Sequence, residues 1–222
     1  LLPILQTWKE QYNFVGSYYV NVGANPPDQE TNWLISKLYY DQLLAMGNEI
    51  GSHSYTHPSD TNFLAGVIDT QEELDAFAAL YAQPGNVDGD PAIAAQLASM
   101  TLAEYQAALG RGIAAADPAT LNALDKAVLT TTFQFQFERA RQVLEEELGI
   151  NIGGAAVPGM PESLATAREI IQYYEYLSGG ASLVGAGYPS AFGYLSADEN
   201  DKIYLAPNVS FDFTLMGWQN LT

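Results

Sequence analysis

Residues 46–58 read MGNEIGSHSYTHP, and this stretch decides how the rest of the chain is interpreted. Gly47 follows an apolar helical pattern over residues 30–46, at the position where a left-handed residue ends a helix. Residues 48–52 predict a short strand, and the aromatic and β-branched residues 13–22 predict an earlier, buried strand. Strand, helix and strand in this order indicate a parallel βαβ unit, whose ligand sites lie at the carboxyl ends of the strands.

The two histidines of the chain, His53 and His57, both lie directly after the second predicted strand. No glutamate follows His53, so the zinc-protease pattern HExxH is absent. Pro58 biases His57 away from helical backbone angles, which favours a loop. Such a loop can bring two neutral imidazoles to one metal ion. The alternative is a surface or capping pair that binds nothing.

Residues 33–58 resemble the second motif of the NodB-type polysaccharide deacetylases, in which H-[ST]-x-x-H follows a helix and a short strand. Ser54 stands at the [ST] position. Residues 14–23 (FVGSYYVNVG) resemble the strand before that helix, and residues 133–149 with residues 156–159 resemble the helix and strand that lead to the third motif. The resemblance implies an α/β fold, a partial, distorted (β/α) barrel of the polysaccharide deacetylase type with an inserted helical region.

This resemblance divides the chain into residues 1–58, the first part of the α/β domain, residues 59–130, a helical insertion, and residues 131–222, the continuation of the domain. The middle part is rich in alanine, and capping boxes at residues 70–73 and 101–104 predict helix starts there. The later elements predicted from the residue pattern are a helix over 133–149, a strand over 152–158, a helix from Pro161 through Tyr174 to residue 179, and strands at 183–186, 203–206 and 209–213.

By the same resemblance His53 and His57 bind a divalent metal ion, in the first place zinc, together with an aspartate. The implied activity is metal-dependent hydrolysis of N-acetyl or O-acetyl groups on a polysaccharide. The family's first motif, an aspartate pair, and its late Leu-His motif have no counterpart in the sequence, and the motif order places them before residue 1 and after Thr222. Two alternatives stay open. One is a non-catalytic carbohydrate-binding or interaction module with a degenerate deacetylase fold, and the other is an unrelated metal hydrolase that adds Asp60 or Asp212 to the histidines.

Further candidate residues surround the histidine pair. Tyr19 and Tyr55 lie near predicted strand ends, where a tyrosine ring stacks on a sugar face, although core packing explains tyrosines there equally well. Ser54 and Thr56 flank the histidines and are candidates for orienting a ligating imidazole, as is Asp60.

Three residues of the second half complete the predicted substrate site. Pro158 belongs to residues 157–162 (VPGMPE), which loosely resemble the family's third motif, and the alternative is a simple strand-to-helix turn. Asp212 is a candidate for orienting a partner in the site and Trp218 for forming the floor of a sugar groove. The alternatives are a surface carboxylate and a core aromatic.

The composition limits the partners. The chain has 222 residues with 8 Lys plus Arg against 26 Asp plus Glu, a formal charge of −18, and no cysteine. A phosphate backbone meets repulsion from such a chain, so nucleic acid is not expected, whereas a neutral or cationic partner is. The same charge also arises simply for solubility.

No apolar stretch is long enough for membrane insertion. The start LLPILQTW carries neither an initiator Met nor a signal peptide. The resemblance implies an acetylated polysaccharide as partner and an extracellular or periplasmic location.

Overall fold

A computed structural model describes residues 2–24, 33–158, 163–178 and 203–204. In these ranges the chain is an α/β protein with one parallel sheet, as predicted. The strands are β1 (Ser17–Val20), β2 (Glu49–Ser52), β3 (Gly154–Ala156), β4 (Tyr176–Ser178) and β5 (Ile203–Tyr204). They pair in the consecutive order β1-β2-β3-β4-β5, and every pair is parallel. Among the described strands β1 and β5 are the two edges, so this part of the chain is an open sheet.

Helices connect and cover the sheet. They are α1 (Leu2–Tyr12), α2 (Trp33–Ala45), α3 (Gln71–Tyr81), α4 (Pro91–Leu97), α5 (Leu102–Ala114), α6 (Ala123–Thr130), α7 (Ala140–Leu148) and α8 (Leu164–Ile170). Gly47 follows α2 with a φ of 83°, the left-handed conformation that the sequence predicted at this helix end. Both predicted capping boxes are present, with Thr70 and Glu73 at the start of α3 and Thr101 and Glu104 at the start of α5.

One face of the sheet packs against helices. Val20, Ile50, Ala155 and Leu177 are buried in a single apolar cluster with residues of α2, α7 and α8. The strands are short, so few residues of each lie in this core. Strands β2 and β3 are parallel neighbours, so their carboxyl ends lie next to each other at the same end of the sheet.

Residues 65–132, which we call the helical segment, contain α3 to α6 and enclose a second apolar cluster. Its two ends are held together by a parallel bridge, in which Ala65 N–H donates to Thr131 O at 2.7 Å and Phe133 N–H donates to Ala65 O at 3.0 Å. The helical segment thus leaves the α/β part and returns to it at one place, close to residues 53–58, which we call the histidine loop.

The helix predicted from Pro161 to residue 179 is wrong in its second half. Helix α8 ends at Ile170, and residues 176–178 form β4 instead. Ile170, Tyr174 and Leu177 follow helical spacing, and all three are buried in the sheet core. Ile170 lies in helix α8, Tyr174 in the turn after it and Leu177 in strand β4. A continuous helical spacing of apolar residues therefore runs through three different backbone conformations.

Other boundaries shift as well. The strand predicted over residues 13–22 is confirmed only for Ser17–Val20, since Asn13 has a φ of 51° and Phe14 and Val15 are exposed. Helix α8 begins after Ser163, whose hydroxyl accepts from the N–H of Thr166. Pro161, Asp212, Trp218 and the predicted strands at 183–186 and 209–213 lie outside the described residues.

Candidate functional site

His53 continues β2 by one residue at its carboxyl end. Its backbone N–H donates to Val20 O at 2.8 Å, so the residue is held in the ladder with β1. The following loop carries two non-glycine residues in the left-handed region, Ser54 with a φ of 67° and His57 with a φ of 56°. Each such residue costs about 1–3 kcal/mol, and this kind of strain concentrates at functional sites.

The two imidazoles lie side by side. Their ring centroids are 4.8 Å apart and their planes are inclined by 73°. Two imidazoles that bind one zinc ion at about 2.0–2.1 Å and a tetrahedral angle have centroids roughly 5 Å apart. The observed separation of the ring centroids is within the range that a shared divalent metal ion requires.

The hydrogen bond of His53 fixes which nitrogen is free. His53 Nδ1 lies 3.0 Å from Ala156 O at the end of β3. A carbonyl oxygen only accepts, so Nδ1 carries the proton and Nε2 presents a lone pair. Burial lowers the pKa of His53, the hydrogen bond to Ala156 raises it, and the neighbouring charge of His57 lowers it. The net result is a neutral ring, the form in which histidine binds metals.

Gln136 holds the histidine loop in place by hydrogen bonds, a role that was not predicted from the sequence. It lies in a turn of π-helix, Gln134–Arg139, and its side chain is fully buried. Its Oε1 accepts from the N–H of Tyr55 at 3.2 Å and of Thr56 at 2.9 Å. Its Nε2 donates to Thr56 Oγ1 at 2.6 Å and to Thr130 O. The one available signal was a polar residue inside the apolar run FQFQF at residues 133–137.

Ser54 and Thr56 stabilise the loop backbone. Ser54 is fully buried and its Oγ accepts from the N–H of His57 at 3.0 Å. Thr56 is exposed and its hydroxyl accepts from Gln136. In the described part of the chain the hydrogen bonds of both residues go to the loop and its anchor rather than to an imidazole nitrogen. Their effect on the imidazoles is through the shape of the loop.

The predicted substrate residues have different surroundings. Tyr55 is half-buried, and its ring lies 4.3 Å from that of Phe135. The ring of Tyr19 lies against Gly51, so Tyr19 stands on the sheet face opposite the helix-packed core. Pro158 follows β3 at its carboxyl end and is buried, which leaves little of its ring for a substrate.

Two cavities adjoin the histidine loop. One, of about 450 Å³, lies between His57 and Asp60 on the loop and Asp88, Asp90 and Lys126 of the helical segment. The second, of about 600 Å³, is lined by Trp33, Tyr55 and Phe135, and it shares Thr56, Lys126 and Thr130 with the first. The helical segment therefore forms one wall of the cavity that His57 lines.

The carboxylates near the loop serve as caps. Asp60 accepts from the N–H of Asn62 at 2.8 Å and starts a short 3-10 turn, Thr61–Phe63. Asp88 accepts from the N–H and the hydroxyl of Ser59 at 2.6 and 3.0 Å. Across the ranges that the structure describes, no group of three or more His, Cys, Asp or Glu side chains is arranged to hold a metal ion. Asp60 accordingly does not complete a ligand set of that kind with the two histidines.

Comparisons with known proteins identify no relative: no family model, no curated protein and no solved structure matches the chain. Among the described residues no helix combines the length and the apolar character needed to cross a membrane.

Proposed function

We propose that the chain belongs to a metal-dependent polysaccharide deacetylase of the NodB type, with His53 and His57 as two protein ligands of a divalent ion, zinc in the first place. The substrate is a polysaccharide that carries N-acetyl or O-acetyl groups, and the protein acts outside the cell or in the periplasm. The described parallel sheet is then part of a distorted (β/α) barrel, whose wall is built from strands in consecutive order.

The observation that carries this proposal is the paired imidazoles at the carboxyl end of a parallel strand. Nδ1 of His53 is bound to Ala156 O, which leaves Nε2 as the nitrogen with a lone pair, and the centroid of the His53 ring lies 4.8 Å from that of His57. Histidine ligands of metals typically donate their other ring nitrogen to a carbonyl or carboxylate oxygen, which fixes the ring and its tautomer. Two histidines that only pack against each other at the surface do not require a hydrogen bond that fixes one ring and its tautomer.

The residues around the pair have separable roles. A bound divalent ion supplies Lewis acidity to the acetyl carbonyl and lowers the pKa of a water to about 7. Gln136 holds the loop that carries His57, and the hydrogen bond to Ala156 holds the ring of His53. The first cavity, which His57 lines, gives room for sugar units beside that residue. A neutral acetylated glycan meets no charge repulsion from a chain of −18.

The experiment is acetate release from an N-acetylated glycan oligomer by the zinc-loaded protein in its full natural length. His53→Ala and His57→Ala are each expected to reduce release by about 100-fold or more, because each removes a protein ligand. Gln134→Leu, an exposed change in the turn that holds Gln136, serves as the control and is expected to keep full activity. Undiminished release by both histidine variants refutes the proposal.

A second candidate function is carbohydrate binding without chemistry, and the cavity lined by Trp33, Tyr55 and Phe135 favours it. Aromatic rings of this kind stack on sugar faces. In that case Tyr55→Ala weakens glycan binding, whereas removing zinc leaves it unchanged and no acetate is released. Acetate release that depends on the two histidines decides for the enzyme.

A further inference from the structure

The two cavities beside the histidine loop have a common boundary. The first, of about 450 Å³, is lined by His57, and the second, of about 600 Å³, is lined by Tyr55. Both volumes lie in the range of about 300–1,000 Å³ that is usual for small-molecule sites. Thr56 of the loop and Lys126 and Thr130 of α6 line both cavities. The two cavities therefore lie side by side along these three residues.

This boundary is held in place, but it does not close one cavity off from the other. Gln136 Nε2 donates to Thr56 Oγ1 at 2.6 Å and to Thr130 O, so one buried side chain ties the histidine loop to the end of α6. Thr56 and Lys126 are exposed, and Thr130 is half-buried. A ligand can lie across such a boundary at the surface. The two cavities thus form one groove between the histidine loop and the helical segment, which we call the two-part groove.

The second cavity has aromatic rings of the kind that bind sugars. Trp33, Tyr55 and Phe135 line it. The ring centroid of Tyr55 lies 4.3 Å from that of Phe135, and a Cβ built on Gly23 would lie 3.3 Å from Cδ1 of Tyr55. The tyrosine ring is therefore packed on two sides. A ring that is already fixed loses little freedom when a sugar face stacks on the aromatic lining, and this favours binding.

Polar groups of the groove suit the hydroxyls of a sugar. Thr56 Oγ1 accepts a hydrogen bond within the protein, which leaves its O–H to donate, and the ammonium of Lys126 is a donor as well. Burial raises the pKa of the Tyr55 phenol, the charge of Arg139 lowers it and the charge of Asp117 raises it. The net effect keeps the phenol protonated, so that it can donate too. Stacking faces next to hydrogen-bond donors match a neutral glycan.

We infer that the two-part groove binds successive units of one glycan chain, with the unit that loses its acetyl group beside His57 and a neighbouring unit in the second cavity. This inference rests on the proposed function and narrows its substrate class to polymers and long oligomers. The helical segment supplies Ala119, Lys126 and Thr130 to the groove, so it is the part of the chain that selects for length. Binding energy from units remote from the reacting bond then raises the rate at that bond.

The test is acetate release from N-acetylated glycan oligomers of two and of six units by the zinc-loaded protein in its full natural length. The readout is the kcat/KM per acetyl group of the hexasaccharide divided by that of the disaccharide, a ratio that a general loss of activity leaves unchanged. The unmodified protein is expected to give a ratio of about ten or more, because only the longer oligomer fills both cavities.

Two variants show whether the second cavity produces this ratio. Ala119 is exposed and lines the second cavity but not the first, so Ala119→Trp fills the second cavity and is expected to lower the ratio to about two or less. Ala107→Trp, an exposed change on α5 that lines neither cavity, is the matched control and is expected to keep the ratio of the unmodified protein.

The outcomes separate this inference from the proposed function. If the unmodified protein releases acetate from both oligomers with a ratio near one, the deacetylase stands and the two-part groove is refuted. A high ratio that persists in Ala119→Trp also overturns the inference. If neither oligomer releases acetate, the proposed function fails together with it. Should Ala119→Trp fail to fold, Ala116→Trp, an exposed change in the lining of the same cavity, takes its place with the same expected ratio.

Discussion

Replacing Gln136 with leucine removes the anchor of the histidine loop and leaves the packing volume nearly the same. Gln136 is fully buried and makes four hydrogen bonds, two as acceptor and two as donor. The leucine side chain offers none of them. The N–H groups of Tyr55 and Thr56 then lose their acceptor, and the carbonyl of Thr130 loses a donor.

The expected loss of unfolding free energy follows from the polar groups that lose their hydrogen bonds to Gln136. Thr56 is exposed, so its N–H and hydroxyl regain water, whereas Tyr55 and Thr130 are half-buried, so the N–H of Tyr55 and the carbonyl of Thr130 regain water only in part. A buried group that loses its partner costs about 1–3 kcal/mol, and a half-buried group lies in the lower part of that range, at about 1–2 kcal/mol, which gives about 2–4 kcal/mol for the two. Because a domain of this size is stable by about 5–15 kcal/mol, the variant is expected to remain folded at 25 °C.

The assay is urea unfolding followed by the zinc affinity of the folded variant. Gln136→Leu is expected to lose about 2–4 kcal/mol of unfolding free energy and to bind zinc at least about tenfold more weakly, since the loop that carries His57 is no longer held. Gln136→Glu keeps an oxygen that accepts from both N–H groups, so it is expected to lie between leucine and the unmodified chain.

The matched control is Gln134→Leu, an exposed change in the same π-helical turn, which is expected to alter stability by less than about 0.5 kcal/mol. If Gln136→Leu is no less stable than Gln134→Leu, or if it binds zinc with unchanged affinity, the anchoring role of Gln136 is refuted.

Two further predictions concern the scaffold. Gly51→Ala places a Cβ 2.6 Å from the ring of Tyr19 and 2.9 Å from Gly154 O, so it is expected to lower the free energy of unfolding in urea by about 1–3 kcal/mol. The control is Gly110→Ala in α5, where the Cβ meets nothing within 4 Å, and it is expected to raise that free energy by about 0.5–1 kcal/mol. Equal effects of the two substitutions would contradict the close packing of this sheet face. The Arg111 guanidinium holds the pKa of buried Asp125 below its ordinary value, through hydrogen bonds of 2.6 Å that outweigh burial. A carboxyl whose folded pKa is depressed stabilises the fold above its unfolded pKa and loses that contribution as the pH falls through the folded value. The stability difference between the chain and Asp125→Asn is therefore expected to be largest at neutral pH and to shrink below about pH 4, and a difference that stays constant with pH would contradict the ion pair.

The sequence predicted the fold class because its strongest patterns are local. The aromatic and β-branched residues of β1, the apolar helical spacing of α2 and Gly47 before β2 are all local signals, and a helical crossover between two strands leads to parallel pairing. The capping boxes of α3 and α5 were also predictable, since a Thr and a Glu three residues later satisfy each other's backbone donors.

The rest depends on contacts that a linear pattern does not contain. Strand β4 was hidden because Tyr174 and Leu177 continue the helical spacing of Ile170 while the backbone has already changed direction. The anchoring role of Gln136 was hidden because the π-helical turn buries Phe135, Gln136 and Phe137 in succession, which is not the pattern of an α-helical face.

The histidine pair was predictable as a candidate site, since both histidines of the chain fall within five residues, between a strand and a proline. The residues that surround the pair could not be predicted from the sequence. The carbonyl of Ala156 that fixes the ring of His53 comes from β3, which is 103 residues further along the chain.

The most direct test of the metal site is an anomalous diffraction map from crystals of the chain grown with zinc. We expect one strong peak about 2.0–2.1 Å from Nε2 of His53 and equally close to a ring nitrogen of His57. No zinc peak between the two imidazoles, in crystals where both rings are well ordered, would contradict it.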